Sequence, residues 1–193
     1  MADNQIFMVA GLGNPGREYA QTRHNIGFFV AQALIATHGF PPEKYRSNTA
    51  YTKGLISGFN VVIARPQAYM NRSGPPLQQL AAYFKILPAN IIVVHDDLDL
   101  EFGRLLVAFN RGHGGHNGIR STIQALGTKE FNRVRLGVGR PHGEQGVTGH
   151  VLGRFTPSET IELCKVVTLG ADACESIIEK GVTAAMNLYN SRE

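Results

Sequence analysis

The stretch "NIIVVHDDLD", residues 90–99, limits what this chain can fold into more than any other. Ile91, Ile92, Val93 and Val94 follow one another with no polar alternation, so a strand made of them must be covered on both faces. A sheet sandwiched between helices meets that demand. The abrupt change to His95, Asp96, Asp97 and Asp99 marks the strand's carboxyl end, and in open α/β sheets that end is where ligand sites form.

The remaining segments supply matching parts. "QIFMVAGL" is a second buried strand that ends in glycines, and Ile26, Phe29, Val30, Ala33 and Leu34 then recur with helical period from about Asn25 to a stop at Gly39. "AYTKGLIS" and "VVIARP" flank Gly58-Phe59-Asn60 as a hairpin. Ser73, with the proline pair behind it and Leu77, Leu80, Ala81 and Phe84, reads as a capped helix. "RLLVAFN" is a strand, and "HNGIRSTIQALG" is a helix closed by Gly127. In "RVRLGVG", Val134, Leu136 and Val138 face inward while Arg133 and Arg135 share the opposite face. Thr156-Pro157-Ser158-Glu159 is a capping box that opens a helix to about Lys180, and "TAAMNLYNSRE" adds a short last one. The sum is an α/β fold, a single domain over residues 1–193 with a mixed, mostly parallel central sheet flanked by helices.

At 193 residues the chain can bury a sizeable core without disulfide or metal staples. Its two cysteines, Cys164 and Cys174, fall in one predicted helix and lie about 15 Å apart at the helical rise, too far to bridge. No apolar stretch approaches the roughly 18 residues of a membrane span, and an acidic residue, Asp3, stands where a secretory signal would be basic. A soluble, cytoplasmic protein is expected. The formal charge is +4, but between Gly103 and Arg140 seven cations (Arg104, Arg111, Arg120, Lys129, Arg133, Arg135, Arg140) face one anion, Glu130. Either ordinary solvated arginines or a phosphate-backbone surface would give that segment its +6.

Gly11, Gly13 and Gly16 spell the G-x-G-x-x-G of a dinucleotide turn, but the context is wrong. Pro15 precedes the third glycine, the helix starts near Asn25, and residues 31–40 contain no acid to bind a ribose. What remains is a turn presenting Asn14, Tyr19 and His24, the last just before a helix whose positive end would favour a neutral imidazole. Asp96 or Asp97 is placed to orient such a histidine, or merely solvates a strand end. "RGHGGHNG", residues 111–118, offers His113, His116 and Asn117 on a loop open to close backbone approach. His113-x-x-His116 with Asp96 would serve a metal, though no H-E-x-x-H or cysteine pair accompanies it. Asn14, Asn71 and Asn117 put carboxamides, which both donate and accept, on three loops, as recognition of a peptide backbone requires.

"GLGNPGREYAQTRHNIG", "QAYMNRSG", "HDDLDL" and "GHGGHNG", in this order and spacing, resemble bacterial peptidyl-tRNA hydrolases across essentially the whole chain. The resemblance implies an esterase that cleaves a peptide from the 3′ ribose of tRNA, recycling the tRNA, as a monomer with no cofactor and no metal. It implies His24 as the general base and Asp96 as the residue that orients it. By the same resemblance Asn14 and Asn71 position the substrate, and Asn117 holds peptide and attacking water. Tyr19 and Met70 would line the groove for the 3′ end and peptide, with His116 beside them. The tRNA would lie on the basic segment, its phosphates reaching Arg111, Arg133 and Arg135. The family often has lysine where this chain has Ala108, and another near Glu144; Arg111 and Arg140 are the available substitutes. A metal-dependent hydrolase and a non-catalytic RNA-binding module are the competing readings.

Overall fold

The computed structural model describes residues 5–141 and 146–191; Glu144 lies outside them. Seven strands form one sheet: β1 (Ile6–Gly11), β2 (Lys44–Arg46), β3 (Thr49–Ile56), β4 (Phe59–Pro66), β5 (Ile91–Asp97), β6 (Leu105–Phe109) and β7 (Asn132–Gly137). Their order is β2-β3-β4-β1-β5-β7-β6. The central four, β4, β1, β5 and β7, run parallel, and antiparallel partners close both sides. The expected mixed sheet is thus parallel at its centre, while its pairings divide evenly, three of each kind.

Helices α1 (Ile26–Thr37), α2 (Gly74–Phe84), α3 (Asn117–Leu126), α4 (Val147–Val151), α5 (Pro157–Lys180) and α6 (Val182–Tyr189) complete the fold. The doubly covered strand is borne out residue by residue. Ile92 and Val94 pack with α1, α5 and α6 residues in one core, and Ile91 and Val93 with Leu77, Leu80 and Ile119 of α2 and α3 in the other. The Thr156–Glu159 capping box is present and Gly127 closes α3 at φ 69°. Cys164 and Cys174 are free thiols on α5.

Three local expectations change. The β3–β4 turn is Ser57-Gly58, with φ of 50° and 84°; positive φ at both positions matches the twist of a two-residue hairpin, so Phe59 and Asn60 already belong to β4. Ser73 precedes α2 but does not cap it. Its hydroxyl donates to the Met70 carbonyl, and the Gly74 amide instead donates to Ser121 Oγ of α3 at 2.9 Å. Strand β2 and helix α4 had no sequence signal: β2 is three exposed residues and α4 a single turn or so. Strand β6, at the sheet's other edge, is covered by Asn190 just beyond α6, whose side chain accepts from the Val107 amide at 2.8 Å and donates to its carbonyl at 2.9 Å.

One crossing places the site. A Cβ at Gly11 would lie 2.1 Å from the Gly27 carbonyl, and one at Gly27 would lie 2.4 Å from the Val94 carbonyl. The first turn of α1 therefore rests backbone to backbone on the ends of β1 and β5. The short 3₁₀ turn Arg23–Asn25, which enters α1, is held directly over the carboxyl edge of the sheet.

Candidate functional site

His24 stands on that 3₁₀ turn and Asp96 at the end of β5, and they meet: His24 Nδ1 is 2.9 Å from both Asp96 carboxylate oxygens. His116, the residue before α3, brings its Nε2 to 2.9 Å from Asp96 Oδ1. The other nitrogen of His116 accepts from the Gly118 and Ile119 amides at 3.1 and 3.3 Å, so this imidazole caps the helix. An acceptor at Nδ1 leaves the proton on Nε2, which must then donate to Asp96. Asp96 likewise takes the Nδ1 proton of neutral His24. The Nε2 of His24 is left as the lone pair, and the residue lines a cleft of about 1040 Å³.

Asp96 is 2% exposed. Burial alone would raise its pKa, but the neighbouring His24 and His116, through charge and hydrogen bonds, hold the carboxyl well below the usual carboxylate range. It stays an acceptor at any working pH.

Among the described residues, His24, Asp96 and His116 also form the one cluster whose donor atoms, all within 4.8 Å of one another, could gather around a metal ion. The donor set does not suit one. A metal on His116 Nε2 would move the ring proton to Nδ1, where the Gly118 and Ile119 amides already donate. His113, the other half of the expected metal pair, is outside the cluster and accepts from the Gly115 amide.

The same cleft is lined by Asn14, Tyr19, Met70, Asn71, Arg111, Asn117 and Arg135, so the candidate catalytic and substrate-binding residues border one cavity. Their conditions differ. Asn14 is buried, its Oδ1 accepting from the Met70 amide at 2.7 Å, while its own backbone is clamped by the Asn25 side chain. Asn71 and Asn117 are exposed. Met70 is part of the floor, its sulfur against Gly118. Tyr19 stands edge-on to Tyr69, centroids 6.3 Å apart, at the mouth. His116 has both ring nitrogens engaged by the protein, so what it turns to the cleft is a carbon edge.

The basic side is built on β7 and the loop before α3. Arg135 Nε donates to Asp97 Oδ2 at 2.7 Å, and exposed Arg140 pairs with Asp99. Arg111 is exposed near Ala108 in the same wall. Arg133 corrects an expectation: it is 3% exposed and donates to the Gly112 carbonyl at 2.8 Å, which removes it from the surface a phosphate backbone would touch. Sequence reasoning also missed Arg23. Its guanidinium, buried beneath the 3₁₀ turn, donates to the Arg154 carbonyl and to Glu159 at 2.7 Å each, tying His24's neighbour to the start of α5.

Comparison with known proteins identifies the family. The family model described as peptidyl-tRNA hydrolase matches residues 8–193. The peptidyl-tRNA hydrolase of Mycobacterium tuberculosis is 50% identical over 183 residues, 94% of this chain and 95% of the relative. That of Mycobacteroides abscessus is 48% identical over 189 residues, 97% and 95% of the two chains. The crystal structure of peptidyl-tRNA hydrolase from Acinetobacter baumannii superposes with a TM-score of 0.90 at 34% identity, over 98% of this chain and 97% of that one. Sequence, fold and the residues around Asp96 thus lead to one statement, that this chain belongs to the peptidyl-tRNA hydrolase family.

Proposed function

We propose that the protein hydrolyses the ester between a peptide, or an N-blocked amino acid, and the 3′ ribose of tRNA, with His24 as general base. The observation that carries this reading is the 2.9 Å contact of His24 Nδ1 with both oxygens of the Asp96 carboxylate: a carboxylate only accepts, so the ring proton sits on Nδ1 and Nε2 keeps its lone pair, in a residue that lines the cleft. Its Nε2 takes a proton from water as the oxygen attacks the ester carbonyl; Asp96 stabilises the imidazolium formed, which then protonates the departing ribose oxygen. Positioned general bases contribute about 10²–10⁴-fold. An oxyanion donor adds about 10²–10³-fold, a part suited to the Nδ2 of Asn14 or Asn117. Such an ester is already activated relative to an amide, so neither a covalent nucleophile nor a metal is required.

The exposed amides of Asn71 and Asn117 suit the peptide backbone, and a site built to bond an amide penalises the charged α-amino group of an unblocked aminoacyl-tRNA. Tyr19 and Met70 line the groove for the 3′ end. Arg111 and Arg135 form the phosphate-facing wall, with Arg140 at its rim. Among the described residues no helix is long and apolar enough to cross a membrane. In this reading the protein works as a cytoplasmic monomer that recycles tRNA during translation.

The test is release of N-acetyl-aminoacyl from tRNA by the wild type and His24→Ala, with EDTA present and unblocked aminoacyl-tRNA as control. Cleavage of the blocked substrate alone, resistant to EDTA and lost by about 10²-fold or more in the variant, is the expected result. A wild type that binds tRNA and leaves the ester intact would replace this reading with that of an RNA-binding module; loss in EDTA would favour a metal enzyme.

A further inference from the structure

The segment from Arg111 to Asn117 delivers one of the cleft asparagines, yet its middle has little packing of its own. A methyl group added at Gly112, Gly114 or Gly115 would meet nothing within 4 Å. A loop of this kind is placed by what holds its ends. At one end, Arg133 Nη1 donates to the Gly112 carbonyl at 2.8 Å. At the other, the His95 ring stands edge-on to His116 with centroids 4.7 Å apart, and His95 Nδ1–H donates to the Asp96 carbonyl at 2.7 Å. His95 and Arg133 are each 3% exposed. They share one face of adjacent parallel strands, where Val93 lies opposite Arg133 and His95 opposite Arg135.

Both side chains have unmet hydrogen-bonding demand. His95 Nε2, Arg133 Nε and Arg133 Nη2 are buried with no protein partner among the described residues. With the proton on Nδ1, Nε2 of His95 is an acceptor, and the two arginine atoms are donors. Burial first, then the neighbouring His116, pushes the His95 imidazole well below its ordinary pKa, which keeps that lone pair available. Buried polar groups rarely stay unpaired, and ordered water commonly joins such complementary groups.

We propose that His95 and Arg133 form one buried polar layer, joined through ordered water, that positions the Gly112–His116 loop, and with it Asn117 and the His116–Asp96 hydrogen bond, for hydrolysis. Neither residue touches substrate; both are positioning residues. The inference rests on the hydrolytic reading of the cleft. It also gives Arg133 a different duty from its neighbours on β7, because a phosphate contact acts on substrate affinity and salt dependence whereas a positioning residue acts on turnover.

The experiment is steady-state hydrolysis of N-acetyl-aminoacyl-tRNA by the wild type, His95→Ala, Arg133→Met and the double variant, with folding followed by circular dichroism. Misplacing a reacting group by about 1 Å costs about 10²-fold, so each single variant is expected to lose about 10–100-fold in kcat with KM changed by no more than about twofold. Acting as one layer, the two changes together should cost little more than the worse one alone. His95→Gln, which returns an acceptor near the Nε2 position, should recover part of kcat. Hydrogen exchange at the Gly118 and Ile119 amides, which bond His116 Nδ1, should accelerate in His95→Ala. Losses that multiply in the double variant overturn the shared layer. An Arg133→Met variant with normal kcat, raised KM and weaker salt dependence overturns the positioning role and makes Arg133 a phosphate contact. If Arg133→Met does not fold, Arg133→Lys is measured in its place, since lysine cannot offer three donors in the same plane. A wild type that does not cleave the ester would instead remove the underlying reading, and the amide-exchange comparison alone would decide the layer.

Discussion

At the scale of single residues, Asp96 organises the site by accepting from two imidazoles at once, and its environment has a measurable signature. Its folded carboxyl titrates well below the usual range. The unfolded carboxyl takes up its proton near pH 3.9, so the stabilisation from Asp96 is complete above that value and is lost as pH falls through it towards the folded pKa. His95 has the same sign in a higher window. Burial pushes its folded pKa below 6.5, so the unfolded chain binds a proton first, and stability declines as pH drops below about 6.5 by up to about 1.4 kcal/mol per unit. Urea unfolding at pH 7.5 and 5.5 should show that decline reduced in His95→Gln; equal slopes would show that His95 is not buried and neutral. His24 and Asp96 were visible in the sequence as a histidine before a helix and an acid at a strand end, positions that capping and strand-end solvation also explain, and it was the resemblance of the surrounding motifs that singled them out. The tautomer of His116 was not legible, since it depends on two backbone amides of its own helix meeting Nδ1.

Among the secondary-structure elements, those with a strong period were read correctly, and those held by tertiary contacts were not. α1, α3, α5 and the buried strands follow from apolar spacing and end signals. β2 has no buried face to leave a pattern, whereas α2 was read as a helix and only its cap differs, because its first amide partner comes from α3, far away in sequence. The approach of α1 to β1 is a further case: the glycines were visible, but their mutual contact was not. Gly27→Ala is expected to destabilise the fold by about 1–3 kcal/mol, as overpacking does, and to lower kcat because the His24 turn must move with the helix. Thermal unfolding and turnover measured on the same sample check this; an unchanged kcat would mean that His24 is placed independently of the crossing.

Over the whole molecule, charge and shape coincide. Four cations of the arginine-rich segment seen in the sequence, Arg111, Arg133, Arg135 and Arg140, line the cleft that holds His24, though Arg133 does so almost fully buried. Arg135, partly tied to Asp97, and exposed Arg111 remain to meet phosphate. Replacing Arg135 with alanine should weaken tRNA binding and lower the slope of log affinity against log salt by roughly one, the value of one lost phosphate contact; an unchanged slope would place the backbone elsewhere.

The two sheet edges bear on a different property, behaviour in crowded solution. An open edge is a template for another chain's strand. One edge here is the short strand β2, with Lys44 and Arg46 exposed on it. The other is closed at Val107 by the carboxamide of Asn190, which takes both hydrogen bonds a neighbouring strand would use. Resistance to strand-to-strand aggregation therefore depends in part on a single amide near the end of the chain, far in sequence from every residue that the chemistry needs.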